Sequence, residues 1–108
     1  ASLAAVDDAD IFIGVAAVAD YRPAKVETKK IKKNSDQLEV TLIRNPDIIS
    51  EISKLPKRPF MVGFAAETEN LIANGTAKLK KKNLDLLFAN NSVETFNSYS
   101  IKLALIHI

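Results

Sequence analysis

IFIGVAAVADYR, residues 11–22, is the stretch that decides the fold class of this chain. Its apolar run over residues 11–15 is unbroken, which is typical of a central strand buried on both faces of a sheet. Small residues follow, and Gly14 leaves room for a ligand to approach the backbone. Asp20 and Arg22 come after the strand, where open α/β sheets bind their ligands. The stretch therefore predicts a ligand site at the end of a buried strand.

The composition is that of a soluble globular protein. The 108 residues are 47% hydrophobic and 26% charged, which is typical of one domain or a piece of one. The absence of cysteine excludes disulfides, thiolate metal sites and a cysteine nucleophile. No apolar run approaches the roughly 20 residues that cross a bilayer, and no signal sequence is visible, so a cytoplasmic protein without membrane contact is expected. The net charge of +2 does not by itself predict nucleic-acid binding.

Helical and extended patterns alternate along the chain. The pattern predicts a helix ending near residue 9, strands over residues 11–17, 38–43, 60–66, 84–89 and 101–108, and helices from residue 46 to Pro56 and over residues 67–82. Strands separated by helices favour a three-layer α/β sandwich, with a mostly parallel sheet and helices on both faces. Residues 24–35 are polar without apolar periodicity, which predicts an exposed, mobile arm.

The start of the second helix has two interpretations. Asn45 is a capping residue, Pro46 suits the first helical position, and Asp47 is an acid in the first turn. The free N–H groups of a helix start also suit a base or an anion. Phe64 is similarly ambiguous, because a phenylalanine near a strand end belongs to the core or stacks on a nucleobase. Four apolar residues give this helix a buried face: Ile48, Ile49, Ile52 and Leu55.

Two lysine clusters are candidates for anion binding. Lys29, Lys30, Lys32 and Lys33 lie in the arm, where a solvated loop, a phosphate clamp and a nucleic-acid contact all fit. Lys78, Lys80, Lys81 and Lys82 end the later helix. Lys78 and Lys82 share one helix face and can reach a single triphosphate, although lysines at a helix end are also simply favourable with the helix dipole.

Several motifs of known chemistry are missing from the sequence. It contains no GxGxxG, no GxxxxGK[ST] and no GxSxG, so it lacks the dinucleotide fingerprint, the P-loop and the hydrolase nucleophile turn. No spacing of metal ligands occurs, and the lone His107 is interpreted as structural. No protein-held metal is therefore expected, and an enzyme built on this chain would use lysines, backbone dipoles and a hydrated cation.

Six segments in order resemble bacterial phosphopantothenoylcysteine synthetase, the phosphopantothenate–cysteine ligase of coenzyme A biosynthesis. They are AAVADYRP, KIKK, NPDI, VGFAAET, KLKKKNLDLLFAN and FNS. The resemblance extends from residue 11 to about residue 98. It implies a Rossmann-like fold with a protruding basic arm, a homodimer, and residues 1–108 as part of the CTP-binding domain. In bacteria this enzyme is commonly the C-terminal half of a bifunctional protein, fused to a flavin-dependent decarboxylase.

The resemblance implies a ligation in two steps. The carboxylate of 4′-phosphopantothenate attacks the α-phosphate of CTP, and the amine of L-cysteine then displaces CMP from the acyl-cytidylate. Mg²⁺ accompanies the triphosphate, and FMN is expected only if a decarboxylase is fused. Lys30 matches the family's catalytic lysine, which also contacts CTP. The other residues that match its CTP contacts are Gly14, Val15, Ala16, Asp20, Pro46, Asp47, Ile48, Ile49, Phe64, Lys78 and Lys82.

Two departures from the family pattern predict a fragment. The family's Gly-rich segment, with its asparagine, has no counterpart here, and Tyr99 follows FNS where the family has aspartate. The usual C-terminal helix is also missing, so weak CTP binding and poor turnover are expected. Two alternatives stay open: an NAD(P)-type Rossmann oxidoreductase domain, which would lack its glycine fingerprint, and a basic nucleic-acid-binding module, which would lack aromatics among its lysines.

Overall fold

The computed structural model describes residues 1–16, 18–33, 36–95 and 102–107. They divide into two units: a sheet unit of Ala1–Ala16 and Ile48–Ile108, and an arm unit of Ala17–Asp47. The elements in chain order are α1 (Ser2–Ala5), β1 (Ile11–Gly14), β2 (Tyr21–Pro23), β3 (Leu42–Arg44), α2 (Ile48–Ser53), β4 (Phe60–Glu67), α3 (Leu71–Lys81), β5 (Leu86–Asn91), α4 (Ser92–Thr95) and β6 (Ala104–His107). None of these helices is long and apolar enough to cross a membrane.

The sheet unit contains a four-stranded sheet in the order β1-β4-β5-β6. β1 and β5 run parallel to β4, and β6 runs antiparallel to β5. The α/β class with a mostly parallel sheet is therefore confirmed. Because β1, β4 and β5 point the same way, they end at one side of the sheet, called the carboxyl edge below.

Helices cover one face of this sheet, called the covered face. Apolar side chains from α2 and α3, among them Ile52 and Leu79, form a buried cluster with the strand residues of that face. Those strand residues are Met61, Ala65, Leu87, Ala89 and Ile106. Of the three layers predicted, the described residues of the sheet unit form two.

The opposite face, called the open face, is apolar but largely exposed. Its exposed residues are Ile11, Ile13, Phe60, Phe64 and Leu105. Val62, at the centre of this face, is nevertheless buried, because larger side chains surround it. The open face is thus apolar without a covering layer in the described part of the sheet unit.

The prediction of a central strand buried on both faces is wrong for β1. Within the described residues β1 pairs only with β4, and Ile11 and Ile13 are 58% and 57% exposed. The strand also ends at Gly14, not at residue 17. An unbroken apolar run identifies a strand, but it does not say whether a second layer covers its outer face.

The helix boundaries differ from the predicted ones. α2 begins at Ile48, two residues after the predicted start, and the helix predicted over residues 67–82 begins only at Leu71, because β4 continues through Glu67. Asn70, with φ 47°, turns the chain before α3. The glycine at position 75 does not break α3. A Cβ there would lie 2.5 Å from Ile106 Cδ1, so the glycine allows α3 to approach the sheet closely.

The later strands are shifted from their predicted positions. β5 covers Leu86–Asn91 instead of residues 84–89, and β6 covers Ala104–His107 within the predicted stretch 101–108. β5 begins two residues later than predicted, because Leu84 belongs to the buried cluster and its N–H donates to the carbonyl of Leu79 in α3.

The arm unit contains one antiparallel strand pair and no buried residue among its described positions. β2 pairs with β3 so that Tyr21 lies opposite Arg44 and Pro23 opposite Leu42. The strand predicted over residues 38–43 is wrong, since β3 is shorter, shifted and exposed. The sequence pattern does not predict β2, because proline is unfavourable inside most strands; here Pro23 is the last residue of an exposed strand. Residues 24–33 have no helix or strand, which confirms an exposed arm.

Candidate functional site

The predicted site residues are divided between the two units. The sheet unit contains Gly14, Val15, Ala16, Ile48, Ile49, Phe64, Lys78 and Lys82, and the arm unit contains Asp20, Lys30, Pro46 and Asp47. The segment FNSY, residues 96–99, lies outside the described residues. Each set is therefore described within its own unit.

Gly14 and Ile49 are brought into contact at the carboxyl edge. A Cβ at Gly14 would lie 2.8 Å from Ile49 Cδ1 and 3.4 Å from Phe12 Cε1. The room at Gly14 that was predicted for a ligand is therefore filled, on the covered face, by the side chain of Ile49 from α2. Val15 and Ala16 follow directly and are exposed, which leaves the chain accessible just beyond the end of β1.

Ile48 and Ile49 form the first turn of α2, a helix of 6 residues. Both are partly buried against the core cluster, as predicted for this face. Their side chains therefore pack against the core. Recognition of a nucleotide base by this segment stays a prediction. Pro46 and Asp47 precede the helix and are exposed in the arm unit.

Phe64 lies near the end of β4 on the open face. The residue is 40% exposed, and its ring stacks on that of Phe88 of β5, with ring centroids 5.2 Å apart and an interplanar angle of 24°. Such aromatic pairs are favourable beyond the area that they bury. The ring thus has an aromatic partner on one side, and stacking on a nucleobase would use its remaining exposed surface.

Lys78 is held by a partner that sequence reasoning did not identify. Its Nζ lies 2.6 Å from Glu67 Oε1, and the two side chains are 45% and 13% exposed. Glu67 is the last residue of β4, at the carboxyl edge. The alternation of β4 contained the signal, because Met61, Gly63 and Ala65 point to the covered face and Glu67 continues the series.

The carboxylate of Glu67 is the buried member of this pair. Its Oε1 is inaccessible to solvent and lies 2.6 Å from the Lys78 ammonium, so the ion pair compensates for the burial of this oxygen. The ammonium of Lys78 is thus fixed at the carboxyl edge by a carboxylate oxygen that solvent does not reach.

Lys82 is placed differently from Lys78. It caps α3, its N–H donates to the carbonyl of Lys78 at 3.0 Å, and it is half-buried. α3 begins after the carboxyl end of β4 and leads to the start of β5. Lys82 therefore lies one turn farther from the carboxyl edge than Lys78.

Asn45 forms three hydrogen bonds within the arm unit. Its side chain accepts a hydrogen bond from Arg22 Nη1 and donates one to the carbonyl of Ala19, both at 2.8 Å. Its backbone N–H donates to the carbonyl of Asp20 at 2.7 Å. The prediction that Asn45 caps the helix is therefore wrong, since its side chain closes the strand pair β2–β3 around Asp20.

Lys30 lies in the irregular part of the arm unit and is exposed. Together with Lys29 and Ile31 it lines a groove of about 430 Å³ whose other wall includes Glu39 and Val40. The side chain therefore lies in an exposed groove that has lysines on one wall.

A second ion pair fixes the opposite edge of the sheet. Arg58 donates to both oxygens of Asp85, at 2.8 and 3.0 Å, and the N–H of Met61 donates to Asp85 Oδ2 at 2.8 Å. Burial alone would raise the pKa of the Asp85 carboxyl, but the Met61 N–H and the Arg58 guanidinium outweigh it and lower the pKa. These residues link the starts of β4 and β5 and stabilise the fold.

No group of three or more His, Cys, Asp or Glu residues in the described part of the chain is placed to hold a metal ion.

Comparison with known proteins identifies the family. The model of the DNA/pantothenate metabolism flavoprotein C-terminal domain matches residues 1–107. The chain belongs to this family. The resemblance predicted from the six segments is thereby confirmed.

The relatives are proteins named for coenzyme A biosynthesis. The coenzyme A biosynthesis bifunctional protein CoaBC of Vibrio vulnificus strain YJ016 is 51% identical over 104 residues, covering 91% of this chain and 26% of the relative. CoaBC of Haemophilus influenzae is 52% identical over 92 residues, covering 84% of this chain and 23% of the relative. The chain thus spans about a quarter of the length of the curated relatives it matches.

Solved structures agree with the fold. The C-terminal domain of a CoaBC protein matches with a TM-score of 0.70 and 27% identity, covering 99% of this chain and 48% of that one. The DNA/pantothenate metabolism flavoprotein of Streptococcus pneumoniae matches with a TM-score of 0.67 and 19% identity, covering 91% of this chain and 57% of that one. The second similarity shows the fold alone.

Proposed function

We propose that this chain is the nucleotide-binding part of a CTP-dependent phosphopantothenate–cysteine ligase in coenzyme A biosynthesis. Family membership and the CoaBC relatives support the pathway. The structural observation that carries the proposal is Lys78, whose ammonium is held by Glu67 at the carboxyl edge. Nucleotides bind at that edge in open α/β sheets, and a fixed cation there suits a triphosphate.

The proposed chemistry takes two steps. A carboxylate oxygen of 4′-phosphopantothenate attacks the α-phosphorus of CTP, the bond to the β-phosphate breaks, and pyrophosphate leaves. The amine of L-cysteine then attacks the acyl carbon of the acyl-cytidylate. CMP leaves, and the amine loses a proton as the amide forms.

The residues of the sheet unit are proposed to bind the nucleotide. Lys78 neutralises phosphate charge, and the backbone contacts the nucleotide at Gly14, the last residue of β1, and at the exposed Val15 and Ala16 that follow it. Phe64 contributes its exposed ring surface to the base. Ile48, Ile49 and Lys82 remain proposed contacts that rest on the family resemblance.

The arm unit is proposed to supply the catalytic lysine. Lys30 is exposed on an irregular segment, as suits a cation that moves to its substrate. Its charge would stabilise the α-phosphate as it becomes five-coordinate, the kind of electrostatic effect that dominates phosphoryl and nucleotidyl transfer. Asp20, Pro46 and Asp47 are proposed nucleotide contacts on the same resemblance.

Three further components belong to the proposal. Mg²⁺ enters with CTP as part of the substrate, since it is usually bound through substrate phosphates and water. FMN is expected only where a decarboxylase region is fused to the ligase. A homodimer is expected from the resemblance, and light scattering of the full-length polypeptide would test it.

The decisive experiment measures pyrophosphate release by the full-length polypeptide with Mg²⁺, CTP and phosphopantothenate, with and without cysteine. Lys30→Gln should lower turnover about 10²- to 10³-fold, because one stabilising charge at the transition state is lost. Folding should be unchanged, since Lys30 is exposed.

Lys29→Gln is the matched control, because it removes an equal charge from the neighbouring exposed position of the arm. It should change turnover less than about threefold. Equal losses in the two variants would contradict a specific role of Lys30. Tighter binding of NADP or of an oligonucleotide than of CTP would contradict the proposed function as a whole.

A further inference from the structure

We propose that Glu67 is a positioning residue, which holds the ammonium of Lys78 ready for the triphosphate of the nucleotide. The inference rests on the proposed function, because it requires Lys78 to bind phosphate. It adds a residue that does not itself touch the substrate and acts only through Lys78.

The geometry of the pair is asymmetric. Glu67 is 13% exposed and Lys78 is 45% exposed, so the carboxylate forms the inner partner and the ammonium the outer one. Glu67 Oε1 is inaccessible to solvent. A ligand from solution therefore meets the lysine and not the carboxylate, and the ammonium shields an arriving phosphate from the negative charge behind it.

The backbone around Glu67 is fixed on both sides. Glu67 is the last paired residue of β4 and lies opposite Asn91 in β5. Its carbonyl also accepts a hydrogen bond from the Ser92 hydroxyl at 3.4 Å. The carboxylate thus projects from a rigid strand end, which makes it a suitable anchor for a long flexible side chain.

Fixing a lysine in advance has a defined benefit. A free lysine loses side-chain freedom when it binds a phosphate, and an ion pair formed beforehand removes part of that loss. An ammonium has three N–H donors, so contact with one carboxylate leaves donors for phosphate oxygens. Protein kinases use a Lys–Glu ion pair in this way to hold a lysine on nucleotide phosphates.

Stability alone does not explain the pair. Partly exposed ion pairs add little to the free energy of unfolding, and the loss of hydration of a buried carboxylate oxygen offsets much of the attraction. Lys78 is 45% exposed, and Glu67 Oε1 is inaccessible to solvent. The position of the pair at the carboxyl edge is therefore better explained by its effect on the lysine than by a gain in stability.

A double-mutant cycle on CTP binding tests the inference. CTP affinity of the full-length polypeptide is measured by calorimetry for the wild type, Glu67→Gln, Lys78→Ala and the double variant. Lys78→Ala should weaken CTP binding about tenfold or more. Glu67→Gln should weaken it about three- to tenfold in the wild type and less than twofold in the Lys78→Ala background.

Two matched controls remove charges nearby. Glu69→Gln removes a carboxylate two residues away, and Lys81→Ala removes a lysine one turn further along α3; both positions are exposed. Each should change CTP affinity less than twofold. Midpoints of thermal unfolding are recorded for every variant, because a purely structural role of Glu67 would lower stability without the dependence on Lys78.

The outcomes separate the inference from the proposed function. If Lys78→Ala weakens CTP binding but Glu67→Gln has no effect, or the same effect in both backgrounds, the positioning role is wrong and the ligase proposal stands. If Lys78→Ala leaves CTP affinity unchanged, the phosphate contact and the positioning role are both wrong. If the wild type does not bind CTP, the proposed function is wrong, and the inference with it.

Discussion

On the covered face of the sheet Leu87 is 2% exposed, whereas on the open face Leu105 is 55% exposed, although the two leucines lie on neighbouring strands. The covered face meets α2 and α3, and its residues form one buried cluster with them. The open face has similar apolar side chains and no covering layer in the described part of the sheet unit. Residue type alone therefore does not distinguish a face that stabilises the fold from one that does not.

The difference arises from chain order. α2 connects β1 to β4, and α3 connects β4 to β5, and right-handed crossovers between neighbouring parallel strands place both helices on the same face. A right-handed crossover in the opposite direction across the sheet would place its helix on the open face. The sequence pattern predicts where strands and helices occur. The face of the sheet on which each helix packs depends on the order of the strands.

The largest expected difference between the faces is in stability. Leu87→Ala should lower the free energy of unfolding by about 2–5 kcal/mol, because it leaves a cavity in the buried cluster. Leu105→Ala, the same substitution on the open face, should lower it by less than about 1 kcal/mol. Urea unfolding followed by circular dichroism measures both. A loss of several kcal/mol for Leu105→Ala would show that another part of the protein covers the open face.

A smaller effect is expected at the edge where β4 and β5 begin. Asp85→Asn should lower the free energy of unfolding by about 1–3 kcal/mol at neutral pH, because Arg58 loses its charged, partly buried partner at this edge. Glu51→Gln, on the exposed side of α2, is the control and should change stability by less than about 0.5 kcal/mol.

The effect of Asp85→Asn should depend on pH in a defined direction. The pKa of Asp85 is lower in the native state than in the unfolded chain. The stabilisation is therefore fully present above the unfolded pKa of about 3.9 and is lost as the pH falls through the native pKa. Unfolding midpoints of wild type and variant should converge in acid. A difference that stays constant from pH 7 to pH 2 would contradict this account.

How far the sequence predicts the molecule differs between the two units. In the sheet unit, β4 and the buried side of α2 are predictable, because long apolar runs and helical spacing reflect burial. In the arm unit, β2 and β3 are exposed and lack such a pattern, so β2 was missed and β3 was misplaced. The cap assigned to Asn45 failed for a related reason, since its partners Arg22 and Ala19 are distant in sequence.

The candidate site shows the same limit. Lys78 was predicted from its spacing and the resemblance, but its partner Glu67 is 11 positions earlier on another element. Contacts between a strand end and a following helix depend on how the helix packs, which local pattern does not encode. The alternation of β4 does predict that Glu67 faces the helices, so the pair could have been proposed, although the burial of its carboxylate oxygen could not.

The smallest expected effect on stability concerns Phe64. Phe64→Leu should lower the free energy of unfolding by about 0.5–1.5 kcal/mol, because the stack on Phe88 is lost from the open face. Phe88→Leu removes the same stack and leaves the Phe64 ring in place, so it should have a similar effect on stability.

The two variants should differ in nucleotide binding. If the base of CTP stacks on Phe64, Phe64→Leu should weaken CTP binding by about 1–3 kcal/mol, and Phe88→Leu should weaken it much less. Calorimetric titration of both with CTP makes the comparison. Equal losses of affinity would mean that the ring pair acts only as part of the open face. A loss confined to Phe64→Leu would instead assign the exposed ring to the base, and part of the open face would then be exposed because it binds substrate.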